Sequence, residues 1–193
     1  FYQHYSTSRF NWDSQLGKTD VQHIYAIFNR NRMNLSFNLY NTINYVYINQ
    51  NLEVAQFSGN IQHIEFQIQK QFRLGHWGSD LFLIYQKTSA PAIIRIPDFN
   101  GKAKLFYFNN FFDNALDLEL GIEFNYFSAY YANQYMPALR VFHLQDDIKI
   151  GDYIFMDVYL NAKIGKARLF VRYDHFNAGL MEYRYYASPT YPA

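Results

Sequence analysis

The chain has 193 residues, a formal net charge of +1 and no cysteine. This length suits one all-β domain, the near-neutral charge gives no reason to expect nucleic acid as a partner, and the lack of cysteine excludes a disulfide framework. Aromatic residues make up 21% of the chain and charged residues only 17%. No run of about 20 apolar residues occurs, so a membrane-spanning chain of this sequence would have to cross by strands.

Alternation of apolar and polar residues predicts strands along most of the chain. In chain order, the predicted strands lie near residues 3–12, 21–29, 33–47, 61–73, 79–87, 103–112, 116–128, 154–164 and 167–176. The clearest alternation places Leu118, Leu120 and Ile122 opposite Glu119 and Glu123. A helix would scatter these residues around its axis, whereas successive strand residues point to opposite faces of a sheet. The period therefore predicts β structure.

The connections between the predicted strands alternate in length. Short turns are predicted at 30–32, 74–78, 113–114 and 165–166, and longer loops at 13–20, 48–60, 88–101 and 129–153. Outer-membrane barrels have this asymmetry, with short periplasmic turns and long extracellular loops. The pattern predicts an antiparallel transmembrane β-barrel. We expect residues 1–193 to form a single barrel segment of about nine strands within a longer barrel.

Two hairpins allow the strand register to be predicted. A type II′ turn with Gly165 first would set Leu160 against Val171 on an apolar face. The hairpin before it would set Lys104 against Glu123 on a polar face. A slip of one residue would move every apolar side chain to the wrong face, so this register is strongly favoured.

Tyrosine and phenylalanine gather near both ends of the predicted strands. Phe72, Trp77 and Phe112 lie near the short turns, and Tyr126 and Tyr153 lie near the long loops. Aromatic rings are enriched at both membrane–water interfaces of a barrel, where they form two girdles. The two-ended distribution therefore favours a membrane barrel, although aromatic residues are also common in strands of any kind.

Charged residues lie on the polar faces of the predicted strands. A solvated face of a soluble sheet would account for them, and so would the lining of a water-filled channel, where charges tune which solutes pass. On the channel interpretation, the predicted pore-lining residues are Glu65, Lys104, Asp117, Glu119, Glu123, Asp157, Lys163, Arg168, Arg172 and Asp174. Carboxylates slightly outnumber cations among them, which predicts a weak preference for cations. The same register predicts that Asp157 faces Asp174.

Catalytic and cofactor motifs do not occur in the sequence. It contains no G-x-S-x-G elbow, P-loop, dinucleotide glycine pattern or H-E-x-x-H motif. His63 and Glu65 share a strand face, but a solvated pair explains this spacing better than a metal site does. His4 shares a face with two serines without the third group that a barrel lipase needs. The stretch 143–147 is expected to be a solvated loop, and a divalent-cation site there is an alternative that nothing else in the sequence supports. We therefore expect no enzyme, no cofactor and no metal.

Four segments of the second half of the chain carry a family resemblance. They are LFYFNNFFDNALDLELG from Leu105, YYANQYMPA from Tyr130, FMDVYLNAKI from Phe155 and RLFVRYDHFNAG from Arg168. In this order they resemble the C-terminal region of the putative porin family of Bacteroidetes outer membranes. The resemblance implies a large barrel in the Gram-negative outer membrane that acts as a diffusion channel, with no catalytic residues to carry over. The implied partners are outer-membrane lipid, small polar solutes in the lumen and the barrel-insertion machinery.

One feature departs from that family. Its members should finish on a strand with a terminal aromatic residue, and this chain stops before such a strand. Passive diffusion of small polar solutes is the function that the sequence favours. A non-channel barrel, acting as an adhesin or surface-binding protein through residues 129–153, is one alternative. A soluble β-sandwich or lipocalin-like binder is the other, and its apolar rows would have to face a core.

Overall fold

A computed structural model describes residues 4–6, 11–13, 15–179, 186–189 and 191–192 of the chain. Its strands are β1 (His4–Ser6), β2 (Asn11–Asp13), β3 (Asp20–Arg30), β4 (Met33–Ile48), β5 (Val54–Leu74), β6 (Trp77–Thr88), β7 (Phe99–Phe111), β8 (Leu116–Phe127), β9 (Gln134–Met136), β10 (Val141–His143), β11 (Tyr153–Ile164), β12 (Ala167–Tyr173), β13 (Tyr186–Ser188) and β14 (Tyr191–Pro192). Among these described residues, no helix is both long enough and apolar enough to span a membrane.

Eight of the strands form one antiparallel sheet in the order β12-β11-β8-β7-β6-β5-β4-β3. Each sheet strand pairs with the sheet strands before and after it in the sequence, which makes the sheet a meander. Within the described residues, β3 and β12 are its two outermost strands, and β9 and β10 form a separate hairpin in the connection between β8 and β11. The predicted all-β, antiparallel class is confirmed.

The tight turns lie at one end of the sheet and the longer connections at the other. Tight turns join β3 to β4, β5 to β6, β7 to β8 and β11 to β12, whereas longer connections cover 49–53, 89–98 and 128–152. Asp113 and Asn114 have φ of 53° and 65°, the positive pair that a type I′ hairpin turn requires. Gly165, with φ of 59°, supplies the positive angle of the predicted type II′ turn. The predicted alternation in loop length is confirmed, but the loop predicted at 48–60 is shorter than expected, because β5 already begins at Val54.

The register predicted for the two hairpins is confirmed as well. Leu160 pairs with Val171 across β11 and β12. Lys104 pairs with Glu123 across β7 and β8. Apart from a bulge between Ile43 and Tyr45 near the loop end of β4, the same parity continues through the neighbouring pairs, so the side chains of the sheet divide into two faces. We name them the apolar face, which carries Leu118, Leu120, Ile122, Val158, Leu160 and Val171, and the polar face, which carries Glu119, Glu123, Asp157 and Arg172.

The apolar face is exposed on all eight strands of the sheet. One exposed member from each strand in turn is Phe28, Phe37, Phe66, Tyr85, Leu105, Leu120, Ile154 and Val171. A continuous exposed apolar surface of this extent is typical of a face that contacts lipid. The apolar stem of Lys70 lies on this face, while its Nζ donates to the carbonyl oxygen of Asn31 in a tight turn at 2.8 Å. Because the Nζ points toward the tight-turn end of the sheet, the charge stays away from the centre of the apolar surface.

Two strand predictions were wrong near the ends of the chain. Residues 3–12 do not form one strand, because His4–Ser6 and Asn11–Asp13 pair with each other in an antiparallel hairpin. Residues 7–10 lie outside the described residues. The main sheet therefore has eight strands rather than the expected nine.

The last strand of the sheet ends at Tyr173, three residues earlier than predicted. His175 has a φ of 53°, which turns the backbone out of strand geometry. The side chain of Asn177 then replaces the strand ladder, because its Oδ1 accepts from the Met156 N–H at 3.1 Å and its Nδ2 donates to the Ile154 carbonyl at 2.8 Å. The predicted pairing of Asp157 with Asp174 is therefore not formed.

Arginine substitutions on the two faces should differ in their effect on stability. Phe37→Arg places a charge on the apolar face, and we expect it to lower the free energy of unfolding by about 2–4 kcal/mol near the middle of a bilayer. Ser36→Arg, on the neighbouring residue but on the polar face, should lower it far less. Urea titrations of the protein folded into lipid vesicles measure both values. Equal losses would contradict the assignment of the two faces.

Candidate functional site

The polar face has two chemically different halves. On β3, β4 and β5 it carries mainly amides and hydroxyls, namely Asn29, Asn34, Ser36, Asn38, Gln67, Gln69 and Gln71. Glu65 is the carboxylate of this half, and it accepts from the Asn38 Nδ2 at 3.0 Å and the Gln67 Nε2 at 2.7 Å. On β6 to β12 the same face carries a series of ion pairs.

Glu123 lies at the centre of the largest ion-pair cluster. Glu123 is only 6% exposed. Its Oε1 accepts from the Lys102 Nζ at 2.9 Å and the Arg172 Nη2 at 3.0 Å. The Arg172 Nη2 also contacts the Asp157 Oδ2 at 2.5 Å, while the Asp157 Oδ1 accepts from the His175 N–H at 2.8 Å. Removing a carboxylate from water is costly unless a cation and hydrogen-bond donors replace the lost hydration. Both carboxylates have such partners here.

A second cluster is built around Lys104. Its Nζ donates to the Glu119 Oε1 at 3.1 Å, and the Tyr159 hydroxyl donates to the same oxygen at 2.8 Å. The Nζ also lies 4.4 Å from the ring centroid of Tyr159 and 5.1 Å from that of Phe106. A cation held against two rings and one carboxylate has little freedom to reorient. The charge of Lys104 is therefore fixed in position on the polar face.

The two rings rest on glycines of neighbouring strands. In one cross-strand row, Gly78, Phe106, Gly121 and Tyr159 lie on β6, β7, β8 and β11. A Cβ at Gly78 would overlap the Phe106 ring, and one at Gly121 would overlap the Tyr159 ring. Both rings are nearly buried, with 5% and 4% exposed. The absent side chains leave room for the aromatic rings to cover the strand backbone.

The residues predicted to line a pore lie together on this face, with one exception. Glu65, Lys104, Asp117, Glu119, Glu123, Asp157, Lys163, Arg168 and Arg172 all occupy polar-face positions of the sheet. Asp174 lies in the turn after β12, where its carboxylate pairs with Arg172. Their contribution to a pore stays a prediction.

Three charged residues of the polar face were missed from the sequence. Arg73 pairs with Asp80 at 2.7 Å, and Lys102 pairs with Glu123. Lys102 was left between the loop predicted at 88–101 and the strand predicted from 103, whereas β7 begins at Phe99. The spacing of two residues between Lys102 and Lys104, which puts both side chains on one strand face, was the signal that could have extended the predicted strand. Asp80 has the same spacing of two residues from Phe82, and Phe82 from Ile84, so these three side chains share one face of β6.

The connection at 128–152 folds back across the loop end of the sheet toward β4. The Leu144 N–H donates to the carbonyl oxygen of Ile48, at the end of β4, at 3.0 Å. Asp146 then joins two other loops, because its Oδ1 accepts from the Arg95 Nη2 at 2.6 Å and its Oδ2 from the Gln50 Nε2 at 2.5 Å. Since β4 is four strands away from β8 in the sheet, this connection spans several strands at the loop end.

The expectation of a solvated loop at 143–147 was wrong for its first three residues. His143, Leu144 and Gln145 are buried. Gln145 holds the turn through its side chain, since its Nε2 donates to the Ala132 carbonyl at 2.6 Å and its Oε1 accepts from the Asp147 N–H at 2.9 Å. Within the part of the chain that the structure describes, no group of three or more His, Asp or Glu side chains is arranged to hold a metal ion.

Comparison with known families gives one match, and it covers the entire chain. Residues 1–193 match the model of the family described as putative porin. The chain belongs to this putative porin family. The resemblance predicted from residue 105 onward is thereby confirmed and extended to the full length, and membership implies an outer-membrane location. Comparison with curated proteins and with solved structures finds no match.

The glycine beneath Tyr159 should be required for packing of the polar face. Gly121→Ala adds a Cβ where the ring lies, and overpacking of this kind costs about 1–3 kcal/mol of unfolding free energy. In a Tyr159→Ala background the same substitution should cost much less, because the overlapping ring is absent. A double-mutant cycle of urea titrations measures this coupling. Equal costs in both backgrounds would contradict the packing argument.

Asp146 should hold the long connection in place. Asp146→Ala removes its contacts with Arg95 and Gln50. We expect the free energy of local opening of this connection to fall by about 1 kcal/mol, which corresponds to roughly fivefold faster protease cleavage within 128–152. Asp147→Ala is the matched control, because only the backbone N–H of Asp147 takes part in the turn. Cleavage rates followed by gel and mass spectrometry test this. Identical rates for both variants would contradict the anchoring role.

Proposed function

We propose that this protein is an outer-membrane porin through which small polar solutes diffuse passively along the polar face. The division of one sheet into an exposed apolar face and an ion-paired polar face is the observation that carries the proposal. A transmembrane barrel needs the first face against lipid and can accommodate the second only around water. The lumen is therefore assigned to the side of Glu119, Glu123 and Arg172.

The accessibility of the polar-face charges supports a wet lumen. The side chains of Lys102 and Lys163 are 49% and 50% exposed, although each makes an ion pair. A soluble sandwich could leave these ammonium groups hydrated as well, but it would have to bury the apolar face of its sheet in a core. The exposed apolar face argues against the same alternative.

Two of the proposed lining residues differ from the rest in their charge balance. Among the predicted pore-lining residues, and counting only partners in the described part of the chain, Glu65 and Arg168 have no ion-pair partner. The fields of close ion pairs largely cancel a few ångströms away, because each solute meets both signs together. The unpaired carboxylate and guanidinium should therefore contribute most to ion preference.

Surface binding is a second candidate function, and one observation favours it. The hairpin of β9 and β10 exposes Tyr135 and Phe142 at 38% and 61%, with ring centroids 5.1 Å apart. Exposed aromatic pairs on a structured loop are common contact points in protein interfaces. This would suit a barrel that binds a partner at the loop end.

Reconstitution of the protein, at its full natural length, separates these functions. A porin should give stepwise conductance in planar bilayers and should let small sugars swell sugar-loaded liposomes. Larger sugars should enter more slowly, because a channel without a saturable carrier step discriminates mainly by size. Folded protein that neither conducts nor swells liposomes would overturn the porin proposal and favour surface binding.

Ion preference should respond to the unpaired carboxylate. Glu65→Gln keeps an oxygen acceptor for Asn38 and Gln67 but removes a fixed negative charge, so the preference for cations over anions should fall. Asp113→Asn removes the same charge in a tight turn outside the sheet and should leave the preference unchanged. Reversal potentials in a KCl gradient below 0.1 M, where screening is weaker, measure the effect. An unchanged potential for Glu65→Gln would contradict a lumenal position.

A further inference from the structure

Two cross-strand rows of polar-face side chains enclose a trough near the tight-turn end of the sheet. The first row runs Phe108, Glu119, Asn161 and Phe170 across β7, β8, β11 and β12. The second runs Asn110, Asp117, Lys163 and Arg168 across the same strands. Between them lie Asn109, Leu118, Ala162 and Leu169, whose side chains point to the apolar face, so that strand backbone forms the floor.

The size of the trough suits a small solute. These rows line a cavity of about 500 Å³, within the range of ligand-binding clefts in proteins. It extends across four strands, and three interstrand spacings amount to roughly 14 Å. A solute of one to three small rings can lie along it without leaving the polar face.

Among the residues that the structure describes, one cation of the trough has no charged partner. Asp117 is occupied, because it accepts from the Lys163 Nζ at 3.3 Å and the Asn110 Nδ2 at 2.9 Å. Glu119 is neutralised by Lys104, which lies outside the two rows. Arg168 forms no ion pair and no side-chain hydrogen bond with any residue that the structure describes. Its guanidinium is therefore available for an anionic group, and its planar fork fits a carboxylate.

The uncharged members of the trough add a second kind of recognition. Phe108 and Phe170 stand at opposite ends of the first row. Aromatic faces provide apolar contact area for the C–H faces of a sugar ring. Asn110 and Asn161 carry amides that can donate to and accept from hydroxyl groups. Aromatic ends, amides and the Arg168 guanidinium together match a solute that is both hydroxylated and acidic.

We propose that this trough binds a polyhydroxylated carboxylate, a sugar acid of the uronate type, during its passage through the protein. The carboxylate pairs with Arg168, the ring packs against Phe170, and the hydroxyls bind Asn161 and Asn110. This inference rests on the proposed porin function, because it places the trough in the lumen near the tight-turn end. The binding is non-covalent, and the site acts as a stopping point that favours one solute class over neutral sugars.

Current block in planar bilayers tests the proposal with three probes added to the protein at full natural length. Glucuronate should interrupt the ion current in a concentration-dependent and saturable way. Glucose lacks the carboxylate and acetate lacks the ring and hydroxyls, so each should need at least about tenfold higher concentration for the same block, as expected for the loss of one strong interaction. Block is expressed as a fraction of the open current of each variant.

Matched charge variants assign the effect to the trough. Arg168→Gln should raise the half-blocking concentration of glucuronate about tenfold or more, because one charge-assisted contact is lost. Lys166→Gln removes the same charge from the adjacent tight turn, outside both rows, and should leave glucuronate block unchanged. Phe170→Ala should weaken block by glucuronate and by glucose together, since both present a sugar ring.

Several outcomes would overturn the assignment. Equal block by glucose and glucuronate would remove the role of the guanidinium, and equal block by acetate and glucuronate would remove the role of the ring contacts. Equal effects of Arg168→Gln and Lys166→Gln would show general electrostatic attraction rather than a site. A protein that fails to conduct refutes the porin function separately. Calorimetric titration of glucuronate into the detergent-solubilised protein and its Arg168→Gln variant then decides whether the trough binds.

Discussion

Strand parity governs every other feature of this sheet. Each residue of a strand points to the face opposite its neighbour, and each two-residue turn joins strands without changing which residues share a face. The parity therefore passes from β3 to β12 through seven strand pairs. A slip of one residue in any hairpin would turn Leu120 or Val171 toward the ion pairs and Glu123 toward lipid. Because placing apolar side chains among the ion pairs and a carboxylate against lipid both cost free energy, a single register is favoured.

The polar face solves two packing problems that follow from this parity. Charges that meet across strands must be compensated, and Glu123 is buried only because Lys102 and Arg172 reach it from both sides. Large rings must also fit beside charged neighbours, and glycine residues beneath Phe106 and Tyr159 make that room. Most charges are thereby locked into pairs with short-range fields. Among the described residues of the polar face, Glu65 and Arg168 have no ion-pair partner, and the proposed ion preference and solute binding depend on these two groups.

The two ends of the sheet are built by different physics. At the tight-turn end, positive φ angles such as those of Asp113, Asn114 and Gly165 let the chain reverse within a few residues. At the loop end, the connection at 128–152 is also held by contacts with residues outside β8 and β11, the two sheet strands that it joins. Asp146 binds residues of two other loops, and Leu144 binds the end of β4. The mouth of the proposed channel is thus a folded structure made by several connections together.

Residue alternation alone predicts the antiparallel class, the two faces, the tight turns and the pairing of Lys104 with Glu123, because each depends on neighbours within one hairpin. It failed where alternation is interrupted: Asn44 forms a bulge with φ of 58°, and strand β5 begins at Val54 although a loop was predicted at 48–60. Only the tertiary structure could decide that Arg172 reaches Glu123, 49 residues away, or that Asn177 ends the last sheet strand. Those contacts join strands that are not sequence neighbours, or a side chain to a distant backbone. Their partners are chosen by position in the folded sheet, and no local period encodes that position.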